Sequence, residues 1–110
     1  MDLKKWDALE AEIAEMVLSG SLPFNKAIGA VAQRYPEENV RILVLASISF
    51  CSSIDQFFGL AAYNDLLSSN KRYETLAALS VDIAVMPEQS QTFACLVGYW
   101  TRTNDGMFLA

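Results

Sequence analysis

The chain has 110 residues, of which 53% are hydrophobic and 19% are charged, and these values exclude an intrinsically disordered protein. A chain of this length buries one hydrophobic core, so we predict a single domain over residues 1–110. The formal net charge of −5 and the dispersed lysines and arginines argue against a nucleic-acid partner, because phosphates are bound by clustered basic residues.

Residues 3–35 predict two helices separated by a short turn. Asp2 is suited to cap the first helix, and Gly20 is typical of a residue that follows a helix end. Its apolar positions are Trp6, Leu9, Ile13, Met16 and Val17. Pro23 is suited to the first position of a second helix, which ends before Pro36. The apolar positions of this second helix are Ala27, Ile28, Val31 and Ala32.

The segment from Pro36 to Phe50 is ambiguous between a helix and a strand. Glu37 and Glu38 after Pro36 are typical of a helix start, because acidic side chains are favoured at the positive end of the helix dipole. The alternating apolar residues from Val40 to Phe50 instead fit one face of a strand. Because the run is about twice the length of a typical strand, we predict a central helix that is apolar nearly all round.

Three further helices are predicted in the second half of the chain. Ser53 followed by Gln56 is a capping-box pattern, which predicts a fourth helix that breaks at residues 68–70. The fifth helix ends at Pro87, and its apolar positions are Leu76, Leu79, Ile83 and Met86. Glu88 predicts the start of a sixth helix that ends near residues 103–106, with apolar positions Phe93, Leu96, Val97 and Trp100. Residues 107–110 are apolar and either dock or fray.

Together these elements predict an all-α, single-domain bundle of five or six helices. The alternative is an α+β fold with strands near residues 40–50 and 92–100. The six elements also divide into two similar three-helix units when the chain is shifted by 51 residues, which superposes Pro36 and Glu37 on Pro87 and Glu88. Six identities in the first 51 positions are little better than chance, so an internal duplication is a hypothesis that rests on the order of the elements.

We expect neither a membrane partner nor a secreted protein. No uncharged run is longer than the 13 residues from Ile42 to Ile54, whereas a membrane-spanning helix needs about 20. Residues 1–7 lack the apolar stretch of a signal peptide. Cys51 and Cys95 lie among apolar neighbours and are expected to be free thiols, as in a reducing compartment. These features predict a cytoplasmic protein.

The sequence predicts that the protein is not an enzyme and binds no cofactor or metal. It contains no histidine, which removes the commonest general base and the imidazole ligands of zinc and haem sites. Two cysteines are too few for a four-thiolate site, and there is no glycine-rich phosphate loop. Asp82 interrupts an apolar run, and we predict that it lies at the edge of the core with its carboxylate in water.

Two pairs of adjacent aromatic residues are the candidate partner-binding positions. They are Phe57 with Phe58 and Tyr99 with Trp100. Neighbours on a helix point about 100° apart, so both members of a pair cannot face the core. One residue of each pair is therefore expected at a boundary or on the surface, where aromatic side chains often anchor partner contacts.

The leading functional hypothesis is a non-enzymatic helical protein-interaction module, such as an adaptor, a small chaperone or a regulatory subunit. Its partner is either another protein or a second copy of the chain. This hypothesis predicts an exposed apolar patch. The alternative is a small-molecule binder with an apolar cavity between the helices, which predicts an enclosed pocket.

Overall fold

The computed structural model describes residues 3–58, 69–103 and 106–109, with side chains for residues 5–56, 71–103 and 106–109. Five α-helices follow one another in these ranges: α1 (Leu3–Leu18), α2 (Phe24–Arg34), α3 (Val40–Phe58), α4 (Ser69–Ala84) and α5 (Phe93–Arg102). The protein is therefore all-α, as the sequence predicts. The segments near 40–50 and 92–100 belong to α3 and α5, so the α+β alternative is wrong.

The turn between α1 and α2 contains Gly20 and Pro23 at the places where the sequence predicts a helix end and a helix start. Gly20 adopts a positive φ of 81°, a conformation that side chains with a Cβ disfavour. Pro23 has an extended backbone and is the residue before α2, so this helix begins one position later than predicted. Helix α1 extends along both α2 and α3, which places its apolar stripe at the centre of the core.

The predicted third and fourth helices are one continuous helix, α3. It begins at Val40 instead of Pro36, and the side-chain oxygen of Asn39 accepts a 2.9 Å hydrogen bond from the backbone N–H of Arg41. Ser53 starts no new helix, because the apolar stripe of α3 continues past it to the buried Ile54. Residues 59–68 of the predicted fourth helix lie outside the described residues, and the predicted break at Ser69 and Asn70 is instead the start of α4.

Helix α5 begins at Phe93, so the predicted start at Glu88 is wrong. Thr92 caps it, because its side chain accepts a 3.3 Å hydrogen bond from the backbone N–H of Cys95. The acidic residue after Pro87 lies in the loop that connects α4 with α5. A proline followed by an acidic residue therefore marks a loop at both places in this chain, and the helix begins several residues later.

Two loops are joined by a short antiparallel contact. Asn39 and Thr92 form an isolated bridge, and the backbone N–H of Val40 donates a 2.9 Å hydrogen bond to the carbonyl of Gln91. The α2–α3 and α4–α5 pairs are thus two helix–loop–helix units that meet at their loops. The contact holds the start of α3 beside the loop that follows α4.

The segment 106–109 docks on α2. The side chain of Asn25 donates a hydrogen bond to the carbonyl of Met107, and Lys26 Nζ donates one of 2.6 Å to the carbonyl of Leu109. Phe108 is buried and stacks on Trp100, with ring centroids 4.5 Å apart. A Cβ on Gly29 would lie 1.8 Å from the carbonyl oxygen of Phe108, so this close approach requires glycine.

Candidate protein-interaction surface

Five large apolar side chains are about half exposed in the described part of the chain. They are Leu18 (54%), Ile48 (48%), Tyr73 (50%), Val81 (60%) and Val85 (58%). Three of the five lie on α3 and α4, which pack against each other. An apolar surface shared by two neighbouring helices is a stronger indication of a contact site than scattered single residues.

Helix α3 has an apolar outer face because its sequence is apolar nearly all round. Its inner face belongs to the core and includes Leu43, Ala46, Phe50 and Ile54. The outer face follows the spacing i, i+3, i+4, i+7, which brings these side chains onto one stripe. Its members are Arg41, Val44, Leu45 and Ile48. No acidic residue of α3 precedes Asp55, so this stripe carries no negative charge.

A groove runs beside this stripe, between the start of α3 and the end of α4. It has a volume of about 290 Å³, and we call it the α3 groove. Its lining residues are Val40, Arg41, Val44, Leu45 and Ile83. Four of these five side chains are apolar, and Ile48 extends the same face by one turn beyond the groove.

Arg41 is the charged residue of the α3 groove. It is exposed, and its guanidinium forms no ion pair with a carboxylate among the residues described. The groove therefore combines an apolar wall with one positive charge, on a chain whose net charge is −5. Such a site favours an apolar ligand that carries a carboxylate at one end.

The outer face of α4 presents a second apolar surface. Glu74, Ala77 and Val81 are exposed and follow one another at intervals of three and four residues, which places them on one line along α4. We call this line the α4 ridge. Val85, which is also exposed, follows directly after the end of the helix. The opposite side of α4 faces the core through Leu79. The alanine keeps the ridge low, so another helix can approach it closely.

The aromatic candidates are placed differently from one another. Trp100 is completely buried and its ring stacks on Phe108, so the structure leaves this side chain no exposed surface for a partner. Tyr99 is partly exposed at the edge of the core, so this pair does divide between the core and the boundary, as its spacing predicts. The side chains of Phe57 and Phe58 lie outside the described residues.

Asp82 lies in a different environment from the predicted one. It is partly buried, and its Oδ2 accepts a 2.8 Å hydrogen bond from Nε1 of Trp100. The carboxylate therefore accepts a hydrogen bond from the indole of α5, whereas the sequence predicted that it would be hydrated. Its location in an otherwise apolar run is explained by this buried donor.

A buried arginine joins the end of α3 to the start of α4. Arg72 has no exposed side-chain surface and pairs with Asp55, which also accepts a hydrogen bond from the hydroxyl of Tyr73. Nε and Nη1 of Arg72 have no hydrogen-bond partner among the residues that the structure describes. Burial raises the pKa of the nearby Cys51 thiol to about 12, although the positive charge of Arg72 opposes the shift. This cysteine is thus a poor nucleophile.

Surface ion pairs connect α1 to α2 and to the loop before α3. Glu12 accepts hydrogen bonds from Arg34 (2.7 Å) and from the hydroxyl of Tyr35 (2.9 Å), and Lys5 pairs with Glu38 over 2.7 Å. The hydrogen bond to Glu12 raises the pKa of Tyr35.

Two clefts border these pairs, and both are open to solvent. Among the residues described, no group of three or more acidic or cysteine side chains is placed to hold a metal.

Comparisons with known protein families, with curated proteins and with solved structures find no match to this chain. Within the described ranges, no helix has both the length and the apolar character needed to cross a membrane. A functional proposal for this protein therefore rests on its own surface.

Proposed function

We propose that this protein is a non-enzymatic protein-interaction module that binds an apolar helical segment along the α3 groove. The observation that carries the proposal is the groove itself, in which four apolar side chains lie around one exposed arginine that forms no ion pair with any described residue. A helix that binds in a groove contributes apolar residues at i, i+3 or i+4, and i+7. The outer face of α3 has the same spacing, so the two helices would match along two turns.

Arg41 gives the proposed contact its orientation. A partner helix with a carboxylate at one end of its apolar stripe would place that carboxylate beside Arg41. Charge pairs at the rim of an interface contribute more to specificity and to the rate of association than to affinity. The partner is therefore expected to be apolar along its contact face and acidic at one end.

The openness of the groove favours a macromolecule over a small ligand. Small-molecule sites enclose most of their ligand, whereas the α3 groove is a shallow surface feature. The proposal includes a cytoplasmic location, which suits the two free cysteines, and it includes no nucleic-acid partner, which suits the acidic charge.

Site-specific photo-crosslinking in the native cell tests the proposal. A photoreactive amino acid replaces Ile48 in one variant and Leu18 in a matched control, because the two side chains have similar size and exposure. We expect a specific crosslink from position 48 and none above background from position 18. The crosslinked protein is then purified and titrated against the purified chain.

Two substitutions decide whether a captured protein uses the groove. Val44→Glu places a carboxylate inside the apolar wall, and Arg41→Glu reverses the rim charge. Both are expected to weaken binding at least about tenfold, whereas Leu18→Glu leaves binding unchanged. Equal crosslinking from positions 48 and 18, or binding that Val44→Glu does not affect, would overturn the proposal.

A further inference from the structure

Each copy of the chain carries both a groove and a surface suited to fill it. We propose that the occupant of the α3 groove is the α4 ridge of a second copy, so that the protein is a homodimer. This inference rests on the proposed function and names its partner. It is supported by the spacing, the charge and the direction of the two helices.

The two surfaces have the same spacing. Arg41, Val44 and Ile48 are separated by three and four residues, and so are Glu74, Ala77 and Val81. Both sets span about 10 Å, because a helix rises 1.5 Å per residue. When α3 of one copy lies beside α4 of the other in the same direction, the two sets meet residue by residue.

The charges of the two surfaces are complementary. In that alignment Arg41 lies opposite Glu74, and neither side chain forms an ion pair with another residue of the described ranges. Two copies with a net charge of −5 each repel one another unless the contact face is neutral or paired. Glu74 is the acidic member of the ridge, and Arg41 would neutralise it.

The sizes of the facing side chains also match. Val44 would lie opposite the small Ala77, and Ile48 would lie opposite Val81. Ala77 leaves room for the side chains that line the groove. Ile48 and Val81 are about half exposed in a single copy. Their burial in a dimer would remove exposed apolar surface from both copies.

The direction of the helices permits a closed dimer. Asp55 near the end of α3 pairs with Arg72 near the start of α4, whereas Val44 near the start of α3 shares the groove with Ile83 near the end of α4. The two helices are therefore antiparallel within one copy. A two-fold axis perpendicular to them then places α3 of one copy parallel to α4 of the other, which is the alignment that the pairing of Arg41 with Glu74 requires.

Light scattering of the purified 110-residue chain over a concentration series tests the inference. We expect the mass to rise from the 12.2 kDa of one chain to twice that value and to stop there. Arg41→Glu and Glu74→Arg should each raise the dissociation constant at least about tenfold. The double variant Arg41→Glu/Glu74→Arg restores the opposite charges and should recover most of the affinity.

Matched controls separate this contact from general effects of charge and folding. Asp7→Arg changes the net charge as much as Glu74→Arg does, but it lies on α1 and should leave the dissociation constant unchanged. Ile48→Glu should abolish the dimer, and Leu18→Glu should not. Circular dichroism of each variant verifies that the helices are retained.

The outcomes distinguish this inference from the proposed function. A monomer at every concentration, or a dimer that the charge variants do not affect, would overturn the inference. If position 48 then crosslinks to a different protein, the proposed function stands without the homodimer. If position 48 crosslinks neither to a second copy nor to another protein, both proposals fail.

Discussion

Trp100 on α5 donates a hydrogen bond from its indole Nε1 to Oδ2 of Asp82 on α4, over 2.8 Å. The indole is completely buried, whereas the carboxylate lies at the edge of the core. A buried donor that loses its acceptor costs free energy, because the unfolded chain can bond it to water. The interaction therefore explains how an acidic residue is tolerated within the apolar end of α4.

Removal of this acceptor should destabilise the fold. Asp82→Ala is expected to lower the free energy of unfolding by about 2 kcal/mol, and Asp82→Asn should cost less because its amide oxygen can still accept. Urea unfolding monitored by tryptophan fluorescence measures both. A change below about 0.5 kcal/mol for Asp82→Ala would show that the bond contributes nothing net.

Gly29 should not tolerate a side chain. Gly29→Ala would bring a Cβ to 1.8 Å from the carbonyl oxygen of Phe108, so the segment 106–109 must move away from α2. We expect a loss of roughly 3 kcal/mol from overpacking and, in addition, faster cleavage of the C-terminal segment by carboxypeptidase. Thermal unfolding and limited proteolysis measure the two effects.

Gly98→Ala is the control for this substitution. At Gly98 a Cβ would lie 3.4 Å from a nitrogen of the flexible Arg102 side chain, so there is room for it. Alanine is preferred over glycine within a helix by roughly 0.5–1 kcal/mol, and Gly98→Ala should be neutral or slightly stabilising. If both variants behaved alike, the contact between Gly29 and Phe108 would not be the cause.

Removing Asp55 should destabilise the fold more than removing Arg72, although both belong to the same ion pair. Arg72 is completely buried and Asp55 is 23% exposed, so Asp55→Ala leaves a buried charge without compensation. We expect a loss of about 3 kcal/mol from Asp55→Ala and a smaller one from Arg72→Met. The double variant should be more stable than Asp55→Ala alone, and chemical unfolding of all three provides that comparison. Equal losses in all three would contradict this account.

The two cysteines should differ in reactivity. The hydrogen bond from the hydroxyl of Thr92 lowers the pKa of the Cys95 thiol, whereas burial raises the pKa of Cys51 to about 12. A lower pKa gives a larger thiolate fraction near pH 8, and the thiolate is the reactive form. In the native protein Cys51→Ser should therefore keep the fast-reacting thiol, and Cys95→Ser should lose it, as measured with a maleimide. The reverse result would contradict the assignment.

The sequence predicted the turn between α1 and α2 and the helical state of α3. Gly20 and Pro23 defined the turn between the first two helices, and the length of the apolar run favoured a helix for α3. The local start signals were less reliable. Ser53 and Glu88 resemble helix starts, but the continuing core stripe in the first case and the capping by Thr92 in the second determined the actual boundaries.

The candidate surface was only partly predictable. A helix that is apolar nearly all round indicates a buried helix or a contact face, and periodicity alone does not distinguish the two. The aromatic pairs were chosen because two neighbouring residues of a helix cannot both face the core, and in the second pair Trp100 is the member that the core buries. The groove depends on how the start of α3 meets the end of α4, and no local pattern contains that information.

Hydroxyl-radical footprinting of Ile48 and Leu18 shows whether the apolar face of α3 is a contact surface, because it measures the solvent exposure of each side chain. The two residues are similarly exposed in a single copy, so their oxidation rates are compared in dilute protein, in concentrated protein and with any captured partner. We expect Ile48 to become protected when the chain is concentrated or bound, while Leu18 stays reactive. Unchanged oxidation of Ile48 under all three conditions would contradict it.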